Sequence, residues 1–130
     1  FSGSGGLVSS AEDYLRFEQM LCNNGELLGN RILSPEMVKM MASNHVGDLY
    51  KGLYGNQGGG LGYGYTVAVV LDSAKSGSQR SDGAIGWGGA YGTMSWTDFE
   101  EDLTGVIMLQ QPVQQVKNDF EKAVRQAIID

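Results

Sequence analysis

Near the start of the chain, apolar positions recur at helical steps. Ala11, Tyr14, Phe17 and Leu21, broadened by Leu15 and Met20, form the single stripe of a helix that buries one face. Ahead of it, Ser9-Ser10-Ala11-Glu12 reads as a capping box, with a hydroxyl accepting an orphan N–H while Glu12 reaches back. Asn23-Asn24-Gly25 tolerates positive φ and stops the run, so the pattern predicts a helix over 9–23. A turn-bearing link covers 27–33. Ser34-Pro35-Glu36 then opens a second helix, with Ser as N-cap and Pro at the first helical position, where its missing N–H costs nothing. Met37, Val38, Met40 and Met41 supply its apolar side. These methionines read as gap-filling core in preference to an adaptable substrate wall.

Periodicity is absent from 44 to 60, a long glycine-bearing segment of the kind that forms functional loops or stays disordered. The period then changes. Residues 61–71 (LGYGYTVAVVL) read as one strand, apolar on both faces in its second half and therefore covered on both. A polar excursion, 72–82, leads into the glycine-rich run 83–96, whose end alternates: Met94 and Trp96 face one way, Thr93, Ser95 and Thr97 the other. Asp98-Phe99-Glu100-Glu101-Asp102 is an acidic turn, read as solvated surface in preference to a metal or acid/base cluster, and 104–110 is another buried strand. Pro112 breaks it, and Val113, Val116, Phe120, Val124 and Ala127 mark a closing amphipathic helix. The expected fold is α+β, an antiparallel meander flanked by helices. It forms a single partial domain over 1–130, with a helical segment and loop over 1–60 and strands plus helix over 61–130.

Composition narrows the function. A formal net charge of −6 leaves no basic patch to release counterions from phosphates, which argues against nucleic acid. No apolar run approaches the ~18 residues that a membrane-spanning helix needs. Cys22 is the single cysteine and sits in the helical stripe, so it reads as a buried thiol. His45 is the single histidine, and neither a second His nor a Cys pair supports a metal site, so no metal or cofactor is expected. The 20 glycines are about twice the ordinary share, yet none falls in a Gly-x-Gly-x-x-Gly opening a helix, which rejects dinucleotide binding. Gly88 and Gly89 bare a stretch of strand backbone. That backbone can hydrogen-bond a close ligand, or it can mark a bulge or sheet corner.

Five motifs occur in one order: Gly5-Gly6-Leu7-Val8-Ser9-Ser10-Ala11-Glu12-Asp13-Tyr14, Leu33-Ser34-Pro35, Leu61-Gly62-Tyr63-Gly64, Gly86-Trp87-Gly88-Gly89-Ala90, and the acidic turn at 98–102 before a hydrophobic strand. Together they resemble the C-terminal part of a serine β-lactamase-like hydrolase, the superfamily of class C β-lactamases, penicillin-binding peptidases and related esterases. The resemblance implies a Ser-x-x-Lys nucleophile motif upstream, and this sequence contains none. Tyr54-Gly55-Asn56 fits the family's tyrosine motif formally but comes in the wrong order. The chain is therefore expected to need the N-terminal remainder of the same protein, and to be inactive alone.

By the same resemblance, Trp87-Gly88-Gly89 occupies the place of the family's Lys-Thr-Gly, in the form of its esterase branch, and the Ala90 backbone N–H is one of two oxyanion-hole donors. Such a donor is typically worth about 2.7–4 kcal/mol in the transition state. Trp87, Gly88 and Gly89 would bind substrate, with Tyr91 either a wall residue or core. Gly5-Gly6 and the loop 44–60 would flank the cleft. An indole in place of a lysine offers apolar area and one N–H instead of a cation for a carboxylate, so neutral esters or amides are favoured over anionic β-lactams. A non-catalytic ligand-binding or cell-wall-associated member of the fold is the alternative. A homo-oligomer formed through the exposed inner face and a periplasmic or secreted location are further implications.

Overall fold

The computed structural model describes residues 7–52 and 59–128. Five strands form one antiparallel meander: β3 (Leu61–Tyr63), β4 (Ala68–Val70), β5 (Ile85–Gly88), β6 (Met94–Asp98) and β7 (Leu103–Ile107), in that order across the sheet. Two helices, α1 (Ala11–Cys22) and α2 (Pro35–Met41), precede it, joined by a small hairpin of β1 (Glu26–Leu27) and β2 (Asn30–Arg31). A single turn, α3 (Ser73–Ser76), lies in the polar excursion, and α4 (Gln114–Gln126) closes the fold. The α+β meander expected from the pattern is the observed one.

Local rules explain both early helices, with one shift of register. Ser10, not Ser9, is the N-cap of α1, and the partner three residues on is Asp13: its N–H donates to Ser10 Oγ at 3.1 Å, while Ser10 Oγ donates to Asp13 Oδ2 at 2.9 Å. Glu12, expected to reach back, instead pairs forward with Arg16 at 2.7 Å. The helix ends as expected. Asn24 and Gly25 take φ values of 53° and 93°, and the Gly25 N–H closes onto the Met20 carbonyl at 2.8 Å. Ser34 caps α2 through the Met37 N–H at 3.2 Å, with Pro35 at the first helical position. Of its four apolar residues, Val38 is buried and Met41 packs on the core, whereas Met37 and Met40 are exposed. The gap-filling role fails for these two because α2 is short and presents only one face.

The predicted strand 61–71 is a hairpin. Its apolar run is interrupted at Tyr65 and Thr66, where Thr66 takes φ 67° and the Gly64 N–H bonds the Val67 carbonyl at 2.9 Å. The cause is tertiary: the Met41 carbonyl at the end of α2 accepts the Tyr65 N–H at 3.1 Å. A Cβ at position 64 would fall on that same carbonyl. Val69 and Val70, the residues expected to be covered on both faces, are both buried.

The two faces of β6 carry the architecture. Ser95 and Thr97 face α1, where Met20 and Leu21 join Val38, Val67, Val69 and Ile85 in the core. Trp96, 2% exposed, faces α4. Its register partners on either side are Gly86 and Gly105; the ring lies where a Cβ at 105 would be, and the Arg80 guanidinium lies beside Gly86. The indole meets the Phe120 ring edge-on at 5.6 Å, and the Arg80 guanidinium stands over it at 4.9 Å. Arg80 also donates through Nε to Glu121 at 2.6 Å, and Arg125 holds the Gln79 carbonyl at 2.6 Å. The polar excursion and α4 are thereby fastened to the sheet together.

The acidic turn departs from its expected solvation at one residue. Asp98 is 2% exposed, accepting the Ser81 N–H at 2.8 Å and, more weakly, the Glu101 N–H at 3.4 Å. Glu100 and Asp102 remain exposed.

A Cβ at position 105 would collide with the six-membered ring of Trp96. Gly105→Ala is therefore expected to destabilise the fold by about 1–3 kcal/mol through overpacking, read as a fall in the urea midpoint. An unchanged midpoint would show that the indole can move aside.

Candidate active site

The end of β5 is where the sheet opens. β5 pairs with β6 along all four of its residues, from Ile85↔Thr97 to Gly88↔Met94, but with β4 only at Ile85 and Gly86. Before Ala68 the chain has turned away through 64–67, so Trp87 and Gly88 run on without a neighbour on that side. The Gly89 N–H donates to the Thr93 carbonyl at 2.9 Å. Antiparallel alternation then directs residues 87 and 89 at β6, and the Gly88 N–H and C=O at the side β4 has left. The turn closes through Gly92 N–H to Gly89 O at 3.0 Å. Ala90, on its first corner, is exposed, and its N–H has no hydrogen-bond partner among the described residues.

Neither glycine has open room for a side chain: a Cβ at 88 would lie 3.2 Å from the Thr93 carbonyl, a tight contact, and one at 89 would strike Thr93 Oγ1 unless that side chain turned away. Beside them lies a cleft of about 200 Å³, bordered by Tyr14, Trp87, Gly88, Gly89, Ser95 and Met108 among others. Trp87 is half-buried and pairs in register with Ser95, which puts it on the α1 face of the sheet. Tyr91 is 73% exposed, which excludes the core reading, and it does not border the cleft. Gly5, Gly6 and Tyr54-Gly55-Asn56 lie outside the described residues. The described part of the 44–60 loop reaches Trp87 from the other side, through Val46, Leu49 and Tyr50.

Sequence reasoning missed Glu18. It sits one turn beyond Tyr14, beneath the cleft, and is 4% exposed. Thr97 Oγ1 donates to its carboxylate at 2.6 Å, and Ser95 hydrogen-bonds it as well. Burial pushes the Glu18 carboxyl above the usual range, and these hydrogen bonds and the charge of Arg80 offset only part of that. The available signal was a charged residue on the apolar stripe, four after Tyr14 and three before Leu21.

The two other sequence candidates are structural. His45 stacks on Tyr65 at 4.3 Å, and its Nε2 lies 2.7 Å from the Met40 carbonyl. Cys22 is half-buried, and its thiol donates to Asp102 at 3.3 Å. Burial and that carboxylate push the Cys22 pKa up to about 12, so it stays an unreactive thiol.

The site so described is a glycine-opened strand end beside a cleft, on an antiparallel sheet between helices. The profile of the Beta-lactamase family matches residues 2–128, and the chain belongs to that family. It is 39% identical over 116 residues to Protein Rv1367c of Mycobacterium tuberculosis, an alignment covering 84% of this chain and 29% of that protein. It is 28% identical over 128 residues to Esterase EstB of Burkholderia gladioli, covering 98% of this chain and 30% of the esterase. The solved structure of EstCE1, a hydrolase with promiscuous acyltransferase activity, superposes with a TM-score of 0.76 at 25% identity, over 89% of this chain and 29% of that one. The chain thus spans less than a third of the length of these relatives.

Glu18 makes a testable contribution to stability. Its folded-state pKa stands above the unfolded one, so the folded protein binds the extra proton in that interval and loses stability as pH rises through it. Glu18→Gln keeps an acceptor for Thr97 without the charge. Thermal midpoints from about pH 4 to pH 7 should therefore fall more steeply in the parent protein than in the Gln variant. Glu18→Ala removes the partner of the Ser95 hydroxyl and leaves Thr97 only its longer bond to the residue 18 carbonyl at 3.3 Å, and should cost about 1–3 kcal/mol at every pH. Parallel pH profiles for the parent and Glu18→Gln would show that the carboxyl titrates alike in both states.

Proposed function

We propose that the complete protein is a serine hydrolase that cleaves uncharged esters through an acyl-enzyme, and that these residues supply its oxyanion strand and back wall. One observation carries the reading: the main-chain edge from Gly88 to Ala90 is vacated by β4, and the Ala90 N–H there is free of any partner among the described residues. A donor on a turn closed by its own hydrogen bond, with no competing acceptor to displace, stabilises developing negative charge with little reorganisation. The carbonyl of a bound ester would lie against Gly88 and Gly89, with its oxygen on the Ala90 N–H. Trp87 would contact the rest of the substrate; Tyr91, outside the cleft, is left without a role in this reading.

Trp87 favours esters, and next to them amides, over anionic β-lactams. It stands where a lysine would attract a carboxylate, and an indole offers apolar surface instead. The names of two relatives, Esterase EstB and EstCE1, agree with that choice. The nucleophile and its base belong to residues outside this sequence, which holds no Ser-x-x-Lys, so the 130 residues alone are inactive.

The complete protein is expected to hydrolyse p-nitrophenyl butyrate with an initial burst that matches the enzyme concentration, the mark of a rapidly formed acyl-enzyme. Ala90→Pro removes the N–H at an exposed turn corner. It should lower kcat by about 10²–10³-fold, with little change in KM or thermal midpoint. Turnover untouched by Ala90→Pro would remove the amide from the mechanism. No turnover at all from folded protein would favour a non-catalytic, ligand-binding member of the family.

A further inference from the structure

Trp87 borders two spaces, the cleft beside Gly88 and Gly89 and a separate hollow of about 300 Å³. That hollow is lined by Val46, Leu49, Tyr50, Tyr63 and Trp87, none of them charged. Its rings form a continuous row, with Tyr50 against Tyr63 at 5.1 Å and Tyr63 edge-on to Trp87 at 5.3 Å. Leu49 completes the rim with 85% of its surface in water. Apolar space of about 150 Å³ is enough to hold a benzene ring, so this hollow admits an aryl group with room for a short alkyl extension.

The hollow is built, not incidental. Asn44 fastens the loop that carries Val46, Leu49 and Tyr50 to the strand that carries Tyr63. Its Oδ1 accepts the Tyr63 N–H at 3.1 Å and the Val46 N–H at 3.2 Å, while its Nδ2 donates to the Gly47 carbonyl at 2.9 Å. The His45 N–H adds a bond to the Tyr63 carbonyl at 2.9 Å. Gly62 makes the space: a Cβ there would lie 2.6 Å from Asn44 Cγ. One polar side chain therefore holds the aromatic wall in place before any ligand arrives, which lowers the ordering cost of binding. Burial and the neighbouring Tyr63 keep the Tyr50 phenol protonated beyond its usual range, so the wall stays neutral in ordinary buffers.

We infer that this hollow is a second binding site, one that takes an uncharged aryl or short alkyl group and is separated from the oxyanion strand only by the Trp87 indole. As the seat of a substrate's apolar end it rests on the ester reading above. As a binding site for neutral aryl compounds it does not.

The probes are 4-phenyl-2-butanone, a neutral aryl ketone, and 3-phenylpropanoate, its carboxylate counterpart, titrated against the complete protein by tryptophan fluorescence. The ketone should perturb the emission and bind at least about tenfold more tightly than the carboxylate. Tyr50→Ala and Leu49→Ser should each weaken it by about tenfold, the lower end of what apolar pocket contacts discriminate. Asn44→Ala, which lines nothing, should weaken it as well by releasing the loop. Thermal midpoints report whether each variant is folded, and Leu49→Ser, at an exposed position, keeps the test available if Asn44→Ala is not.

In the kinetic arm, kcat/KM for ethyl phenylacetate and for benzyl acetate is compared with that for ethyl acetate. Tyr50→Ala should lower one of the two ratios by about tenfold, and which ratio falls tells whether the acyl or the alcohol end occupies the hollow. Variant-sensitive ketone binding without ester turnover would sink the hydrolase reading and leave the site standing. Ketone affinity and both ratios unchanged within twofold in Tyr50→Ala and Leu49→Ser would overturn the site itself.

Discussion

The placement of one indole orders the rest of the sheet. Trp96 has a glycine opposite it on each flanking strand: its six-membered ring takes the place a Cβ at Gly105 would fill, and Gly86 leaves room for the Arg80 guanidinium that stands over the same ring. The register of β6 against both neighbours is thereby tied to this cluster, because slipping either would bring a Cβ against the ring or the guanidinium. The same ring serves as platform for Arg80 and Phe120, and through them for the 72–82 excursion and α4. A part-buried cation over an aromatic face, paired to Glu121, is costly to take apart one partner at a time.

The position of the candidate site follows from that register. Since Gly86 must flank Trp96, Trp87 falls opposite Ser95 and Gly88 opposite Met94. The early departure of β4, forced where α2 ends on the 64–67 turn, then exposes the edge of β5 just past the registered glycine. On the opposite face, Ser95 and Thr97 bind Glu18 and so hold α1 over the sheet, which brings Tyr14 to the mouth of the cleft. The buried carboxyl costs stability at neutral pH, as burial of an ionisable group does, and in return gives the Ser95 and Thr97 hydroxyls a strong acceptor under the helix.

Glycine carries several distinct duties in this chain, and they were not equally legible. Gly25 ends a helix, which its place after Asn-Asn announces. Gly105 clears space for the indole opposite it in the same hairpin, whereas Gly64 and Gly62 clear space for a carbonyl and an asparagine side chain far away in sequence, at Met41 and Asn44. For these two no local pattern names the partner, and a strand over 61–71 is the natural expectation when the glycines are seen without what they accommodate.

Local order was written in the chain. The ends of α1 and α2, the alternation along β6, the closing helix, and the ordered motifs that mark the Beta-lactamase family all depend on neighbours within a few residues, where caps, periodicity and φ preferences act. What the chain could not announce was anything whose cause lies across the fold. Burial of Glu18 and Asp98 and the break at Tyr65 and Thr66 depend on which groups come to face one another. The same holds for the open edge at Gly88 and for the second wall of Trp87. Those matters were decided when the strands took their register and the helices settled on them, since a hydrogen bond or a steric slot exists only once both of its sides are in place.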